Sequence, residues 1–209
     1  VILSSSEMLQ NYYQRMSDER RDQHLNRVQI QVRRLISLLD DFLMINKADL
    51  MGVQYIPEPV DVRDLCRDIV EEFQMIAESY RLEYVAPEGC PTLSLDVKLM
   101  RQAISNLLSN AIKYSPAGGT IRLHAACEPD ALRIQVSDQG IGIPEEDQKR
   151  LFEVFHRAGN VGTVPGMGLG LVITKRAVEV HGGTVTFASK VGEGTTFIIT
   201  IPMENPEPS

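Results

Sequence analysis

Four short blocks stand in a fixed order in the last half of this 209-residue chain. They are Asn106-Leu-Leu-Ser-Asn110-Ala-Ile-Lys113-Tyr114, Asp138-Gln-Gly140-Ile-Gly142, Phe152-Glu-Val-Phe155-His-Arg157 and Gly166-Met-Gly168-Leu-Gly170-Leu171. The first lies in a helical pattern and the second ends a strand pattern. The third opens a glycine-bearing stretch, and the fourth leads into a helix. One block alone constrains little. All four, with those elements between them, require a fold that mixes strands and helices.

The spacing of apolar residues fills in the rest. Thr120 to Cys127 and Ala131 to Ser137 alternate, with Ile121, Leu123, Ala125, Leu132, Ile134 and Val136 on one side. Period-two alternation marks strands with one buried and one wet face. Val60-Asp-Val62, Leu82 to Ala86 and Thr92 to Leu95 are short strand candidates, and Thr184 to Ser189 with Thr195 to Ile201 make a last antiparallel pair. Helices are expected over 63–79, 96–114 and 169–181, the last stopped by Gly182-Gly183. This is an α+β arrangement, a two-layer sandwich with helices on one face of a mixed sheet.

Ahead of it, residues 18–46 read as one long helix. Leu25, Val28, Val32, Leu35, Leu39 and Phe42 form a heptad seam that Ile36 and Leu43 widen. Residues 1–14 read as a preceding helix, and 14–17 as the turn, with Ser17 or Asp18 as N-cap. Two helices cannot close a four-helix core, so a homodimer of antiparallel hairpins is expected. The alternative is a hairpin packed on its own chain. The organisation read here is a dimerisation hairpin over 1–51, a linker over 52–59, a ligand-binding domain over 60–202 and a disordered tail over 203–209.

Charge narrows the partners. The net charge is −7, and beyond Ile56 there are 14 basic against 21 acidic residues. Nucleic acid is not indicated. The three cysteines, Cys66, Cys90 and Cys127, show no paired spacing, so reduced core thiols and a cytoplasmic location are expected. No apolar run spans a bilayer and no signal peptide is present, so no direct membrane contact is expected. The chain opens on Val1-Ile2-Leu3 without an initiator Met and reads as a piece of a longer protein, whose remainder has room for a membrane anchor.

The blocks themselves carry chemistry. Asn106, Asn110 and Lys113 share one helix face. An amide oxygen suits Mg²⁺, and a lysine neutralises a terminal phosphate. A polar face looking at water is the other reading of that helix. Asp138 ends a strand, where a carboxylate can accept from an exocyclic amine such as that of adenine, and its glycines allow close approach of a flat base. An ordinary Asp-Gly turn is the bland alternative. Gly166, Gly168 and Gly170 precede a helix whose free N–H groups suit polyphosphate. The spacing is neither a Rossmann nor a Walker A pattern. Residues 143–166 read as a mobile cover, with Phe152 and Phe155 anchoring one end.

Taken together, the chain resembles the catalytic core of a two-component sensor histidine kinase, over residues 1 to about 202. Its blocks match that family's N, G1, F and G2 boxes, and His181-Gly-Gly-Thr…Ser189…Gly192-Glu-Gly-Thr-Thr-Phe197 is similar to the family's ending. The resemblance implies a Bergerat-type ATP fold with ATP and Mg²⁺ as cofactors. It implies Asn110 and Asn106 for the metal, Lys113 and Arg157 for phosphates, and Asp138 for the adenine amine. Asn106, Lys113 and Arg157 would serve the transfer step, while Tyr114, Gly140, Gly142, Ile143, Gly166, Gly168, Leu169, Gly170, Leu171 and Thr196 would line the nucleotide. The implied partners are a second copy of the chain and a response-regulator receiver domain.

The phosphoacceptor block that the family places before a run like Val1-Ile-Leu-Ser-Ser-Ser-Glu7 is absent. By that alignment it lies upstream, and the chain as given is expected to bind ATP without phosphorylating itself. His24 lacks an adjacent acid and reads as a surface or interface residue. His124 and His181 read as structural, the latter at a helix end that favours cations, and His156 reads as a surface residue of the cover. A gyrase-like ATPase is disfavoured because Asn106 stands where that group has a glutamate base. An anti-sigma-like serine kinase is disfavoured by the hairpin. A non-catalytic ATP-sensing scaffold remains the alternative from another class.

Overall fold

A computed structural model describes residues 2–29, 31–32, 54–77, 79–116, 118–162, 164 and 166–203. The chain divides into two compact units, Val1–Gly52 and Val53–Ser209. In the first, helix α1 (Ile2–Tyr12) runs into a 3-10 turn at Tyr13–Arg15, and α2 begins at 18 and is helical over 18–29. Ser17 is the N-cap, its hydroxyl accepting from the Arg20 N–H at 3.4 Å. The seam positions Leu35, Leu39 and Phe42 lie outside the described residues.

The second unit is built from β1 (Glu58–Val60), α3 (Val62–Ile76), β2 (Arg81–Val85), β3 (Leu93–Leu95), α4 (Val97–Tyr114), β4 (Thr120–Cys127) and β5 (Ala131–Ser137). The short α5 (Glu145–Gln148), α6 (Gly170–Val180), β6 (Thr184–Lys190) and β7 (Gly194–Pro202) complete it. A five-stranded sheet runs β2-β4-β5-β7-β6, parallel only between β2 and β4, and β1 pairs with β3 separately. The expected alternation is observed: Ile121, Leu123, Ile134, Val136 and Ile199 are at most 1% exposed. They form one layer, and Ile69, Ile104, Leu108, Ile173 and Val178 of α3, α4 and α6 fill the other. Burial of such side chains contributes about 2 kcal/mol each.

Four expectations need correction. The first strand ends at Val60 instead of reaching Val62. The Asp61 carboxylate accepts from Arg63 and Asp64 N–H groups at 2.8 and 3.4 Å, so an N-cap outweighs the β preference of Val62. The peptide just before it is also tied down, since the Ile56 N–H donates to Asp96 at 2.9 Å. Phe155 is not an anchor; it is 61% exposed at φ +64°, and Phe152 alone meets the core, 6.1 Å from Phe187. His156 is not a surface residue: its side chain is 9% exposed against Asp147, at 3.2 Å. Lastly, Cys90 and Cys127 are joined as a disulfide with Cα atoms 5.3 Å apart. The parallel β2–β4 pairing returns the loop after β2 to the end of β4, a proximity that residue spacing cannot reveal. Only Cys66 is the expected core thiol, and burial pushes its pKa up to about 12.

Candidate nucleotide site

Helix α4 exists because Asp96 caps it and apolar residues recur along one side. Its other side carries Asn106, Asn110 and Lys113, and its last residue is Tyr114. Asn106 reaches α6: its Nδ2 donates to the Gly170 carbonyl at 3.2 Å, which also accepts from the Thr174 hydroxyl at 2.9 Å. A Cβ on Gly170 would lie 3.6 Å from the Asn106 amide. The first and fourth blocks are thus in contact.

Tyr114 joins the second block to the first. Its carbonyl accepts from the Ile141 N–H at 3.0 Å, and a Cβ on Gly140 would lie 2.5 Å from that same oxygen. Its hydroxyl is 3.8 Å from where a Gly166 Cβ would be. Asp138 is fixed at the end of β5, with Oδ1 accepting from Gly140 N–H at 2.8 Å and from Thr195 N–H at 3.2 Å. Both bonds fall on Oδ1, and among the described residues none falls on Oδ2. Partial burial raises the Asp138 pKa, partly opposed by those two N–H groups. Gly142 needs its freedom: φ is +67°, and a Cβ would stand 2.1 Å from the Lys190 carbonyl.

Between them lies the cover. Gly168, at φ +72°, lets the backbone at His156 lie against the start of α6, a Cβ there falling 2.5 Å from the His156 carbonyl. Helix α6 opens at Gly170 with Leu169 as N-cap and no side-chain cap, and among the described residues its first N–H groups have no side-chain acceptor. Leu169 is buried and Leu171 half-buried.

The structure therefore brings together Asn106, Tyr114, Asp138, Gly140, Gly166, Gly168 and Gly170. Ile143 is held by its N–H to the Ser189 hydroxyl at 2.9 Å. Lys113 is exposed on α4, and Asn110 is half-buried one turn before it. Arg157 donates to the Val164 carbonyl inside the cover. Thr196 stands opposite Ser137 and hydrogen-bonds its hydroxyl at 3.0 Å. Sequence reasoning missed Thr195, Gln148 and Asn160. Only Thr195 had a signal, lying beside Thr196 in the similar ending.

The chain is similar in sequence and in fold to known proteins. The family model "Histidine kinase-, DNA gyrase B-, and HSP90-like ATPase" matches residues 95–205. The chain is 34% identical over 180 residues to sensor histidine kinase WalK of Bacillus subtilis (strain 168), covering 83% of this chain and 29% of WalK. Full-length ShkA, solved in complex with AMPPNP, superposes with a TM-score of 0.75 at 27% identity, over 90% of this chain and 39% of that one. The mycobacterial sensor histidine kinase MprB matches at TM-score 0.63 and 30% identity, over 69% of this chain and 97% of that one. The chain spans 29% to 49% of the first curated relatives it matches. Among the described residues, no helix is long and apolar enough to cross a membrane.

Proposed function

The chain belongs to the histidine kinase-, DNA gyrase B- and HSP90-like ATPases, and from that premise we propose that its second unit binds Mg-ATP as the catalytic unit of a sensor histidine kinase. The whole protein would transfer the γ-phosphoryl group to a histidine on the dimerisation helix. An aspartate of a response-regulator receiver domain would then take it. One observation carries the reading: Asn106 on α4 meets Gly170 at the start of α6, while Tyr114 of the same helix meets the 138–143 turn.

The roles follow from the donors available. Asp138 Oδ2 accepts the adenine amine, with Oδ1 already committed to the backbone. The uncapped start of α6 takes phosphate oxygens. Asn110 and Asn106 offer amide oxygens suited to a hard divalent cation, which supplies neutralisation of phosphate charge. Lys113 assists from the same helix face. Arg157 joins them by exchanging the Val164 carbonyl for a phosphate.

Asn106 is an amide and cannot serve as a base toward water, so ATP hydrolysis by the chain is slow. None of the four histidines stands in the family's acceptor block, and the chain on its own binds ATP without forming phosphohistidine. Calorimetry with Mg-ATP tests the reading. Wild type should bind, and Asp138→Asn should bind at least about 10-fold more weakly with reduced preference for ATP over GTP. Equal binding by the variant, or none by wild type, would sink it.

A further inference from the structure

The cover touches the base-side turn at two points that the proposed function does not use. Asn160 lies in the 3-10 turn Gly159–Val161, and its Nδ2 donates to the Gly142 carbonyl at 2.9 Å. Gln148, the last residue of α5, donates from Nε2 to the Ile143 carbonyl at 2.9 Å and to the Ser189 carbonyl at 3.3 Å. We propose that Asn160 and Gln148 are positioning residues that fasten the cover to the 140–143 turn, so that closing the cover and shaping the base edge are one event. The identity of the ligand rests on the reading above; the fastening does not.

The surroundings show why these two amides matter. From behind, the turn is fixed by the β6–β7 hairpin: the Lys190 carbonyl backs Gly142, and the Ser189 hydroxyl accepts the Ile143 N–H. From the cover side, the described hydrogen bonds to the Gly142 and Ile143 carbonyls come from Asn160 and Gln148. Asn160 is itself set in place through Asp147, whose Oδ2 accepts from the neighbouring Gly159 N–H at 2.8 Å. The other oxygen of Asp147 lies 3.2 Å from His156 Nε2 without forming a hydrogen bond, and the His156 backbone abuts Gly168 ahead of α6. Close contacts thus run from the start of α6 through His156 to Asp147, and hydrogen bonds of Asp147 and Asn160 reach Gly142 in the turn that follows Asp138. Both fasteners are neutral amides, which can let go without leaving a charge unpaired.

Asn160→Ala in the full chain tests this. Asn160 is exposed, so the variant loses a donor and little packing, and its melting midpoint should stay that of wild type. Without nucleotide, amide exchange at 141–143 should quicken several-fold as well as exchange in the cover. Adenosine, which has no phosphate for a cover to hold, should bind about 3- to 10-fold more weakly. Gln148→Ala should move both readouts the same way. Faster exchange confined to 155–168, or adenosine affinity equal to wild type, overturns the fastening. A wild-type chain that binds no adenosine would count against the nucleotide reading, and the exchange result would still decide the fastening.

Discussion

Asp138 is a half-buried carboxylate at the end of β5, and desolvation holds its pKa above the ordinary value. A pKa raised by folding means that the native state takes up this proton more readily than the unfolded chain. The group's contribution to stability is therefore full in acid and is lost as pH rises through the folded pKa. With Asp138 in the proposed role, ligand binding runs the other way, because an ionised carboxylate is the stronger acceptor for an amine N–H at Oδ2. Nucleotide affinity should weaken on acidification sooner than it would with an exposed carboxylate. Asp138→Asn should flatten that profile while leaving the ligand-free protein as stable as wild type or more so. Calorimetry and thermal melts across the same pH series check both. Gly142 poses a steric question instead. Gly142→Ala meets both a positive φ and a carbonyl at 2.1 Å, whereas Gly162→Ala, at φ +52°, meets open space. Denaturant unfolding should show a loss of about 2–4 kcal/mol for the first and about 1 kcal/mol for the second.

Between elements, the N-terminus of α4 and the C-terminus of α6 share one polar junction. Asp96 accepts from Leu99 and Ile56 N–H groups at 3.1 and 2.9 Å, and its own N–H donates to His181 Nε2 at 2.9 Å. The other ring nitrogen faces the Ala177 carbonyl at 2.7 Å, so both ring nitrogens are engaged, Nε2 with the Asp96 N–H and Nδ1 with that carbonyl. His181→Ala leaves the Asp96 N–H unpaired and should cost about 1–3 kcal/mol in denaturant unfolding. The Cys90–Cys127 bond closes a separation of 37 residues, so Cys90→Ser should cost about 2–4 kcal/mol, with reductant having no further effect on the variant. Thiol titration should find Cys66 alone, and only after unfolding. The helices and antiparallel strands were legible because their periods are local: Leu132, Ile134 and Val136 declare a buried face by themselves. The blocks were legible because each keeps its own chemistry. The junction, the disulfide and the Asn160–Gly142 and Gln148–Ser189 bonds were not, because each is made by residues distant in the chain with no period to announce them. Phe155 misled because an aromatic in an apolar-looking block reads as core, while its positive φ turns it outward.

At the scale of the whole molecule, the two units differ in what they can bury. The 53–209 unit closes its own core between sheet and helices, and every residue assigned here to the ligand lies within it. The 1–52 unit leaves Leu3 at 73%, Leu25 at 47% and Val32 at 40% exposed. Leu25 and Val32 are seam positions one heptad apart, and Val28 between them is half-buried. A second hairpin would cover that stripe and return about 25 cal/mol for each Å² of apolar surface removed from water. The chain is therefore expected to be a dimer in solution. Leu25→Glu places a charge in the seam and should shift the species measured by light scattering from dimer toward monomer at micromolar concentration. Nucleotide affinity should stay at the wild-type value, since the substitution lies outside the binding unit. A variant that stays dimeric would show that the seam is not the interface. A variant that dissociates and loses nucleotide affinity as well would show that the second unit needs the first to bind.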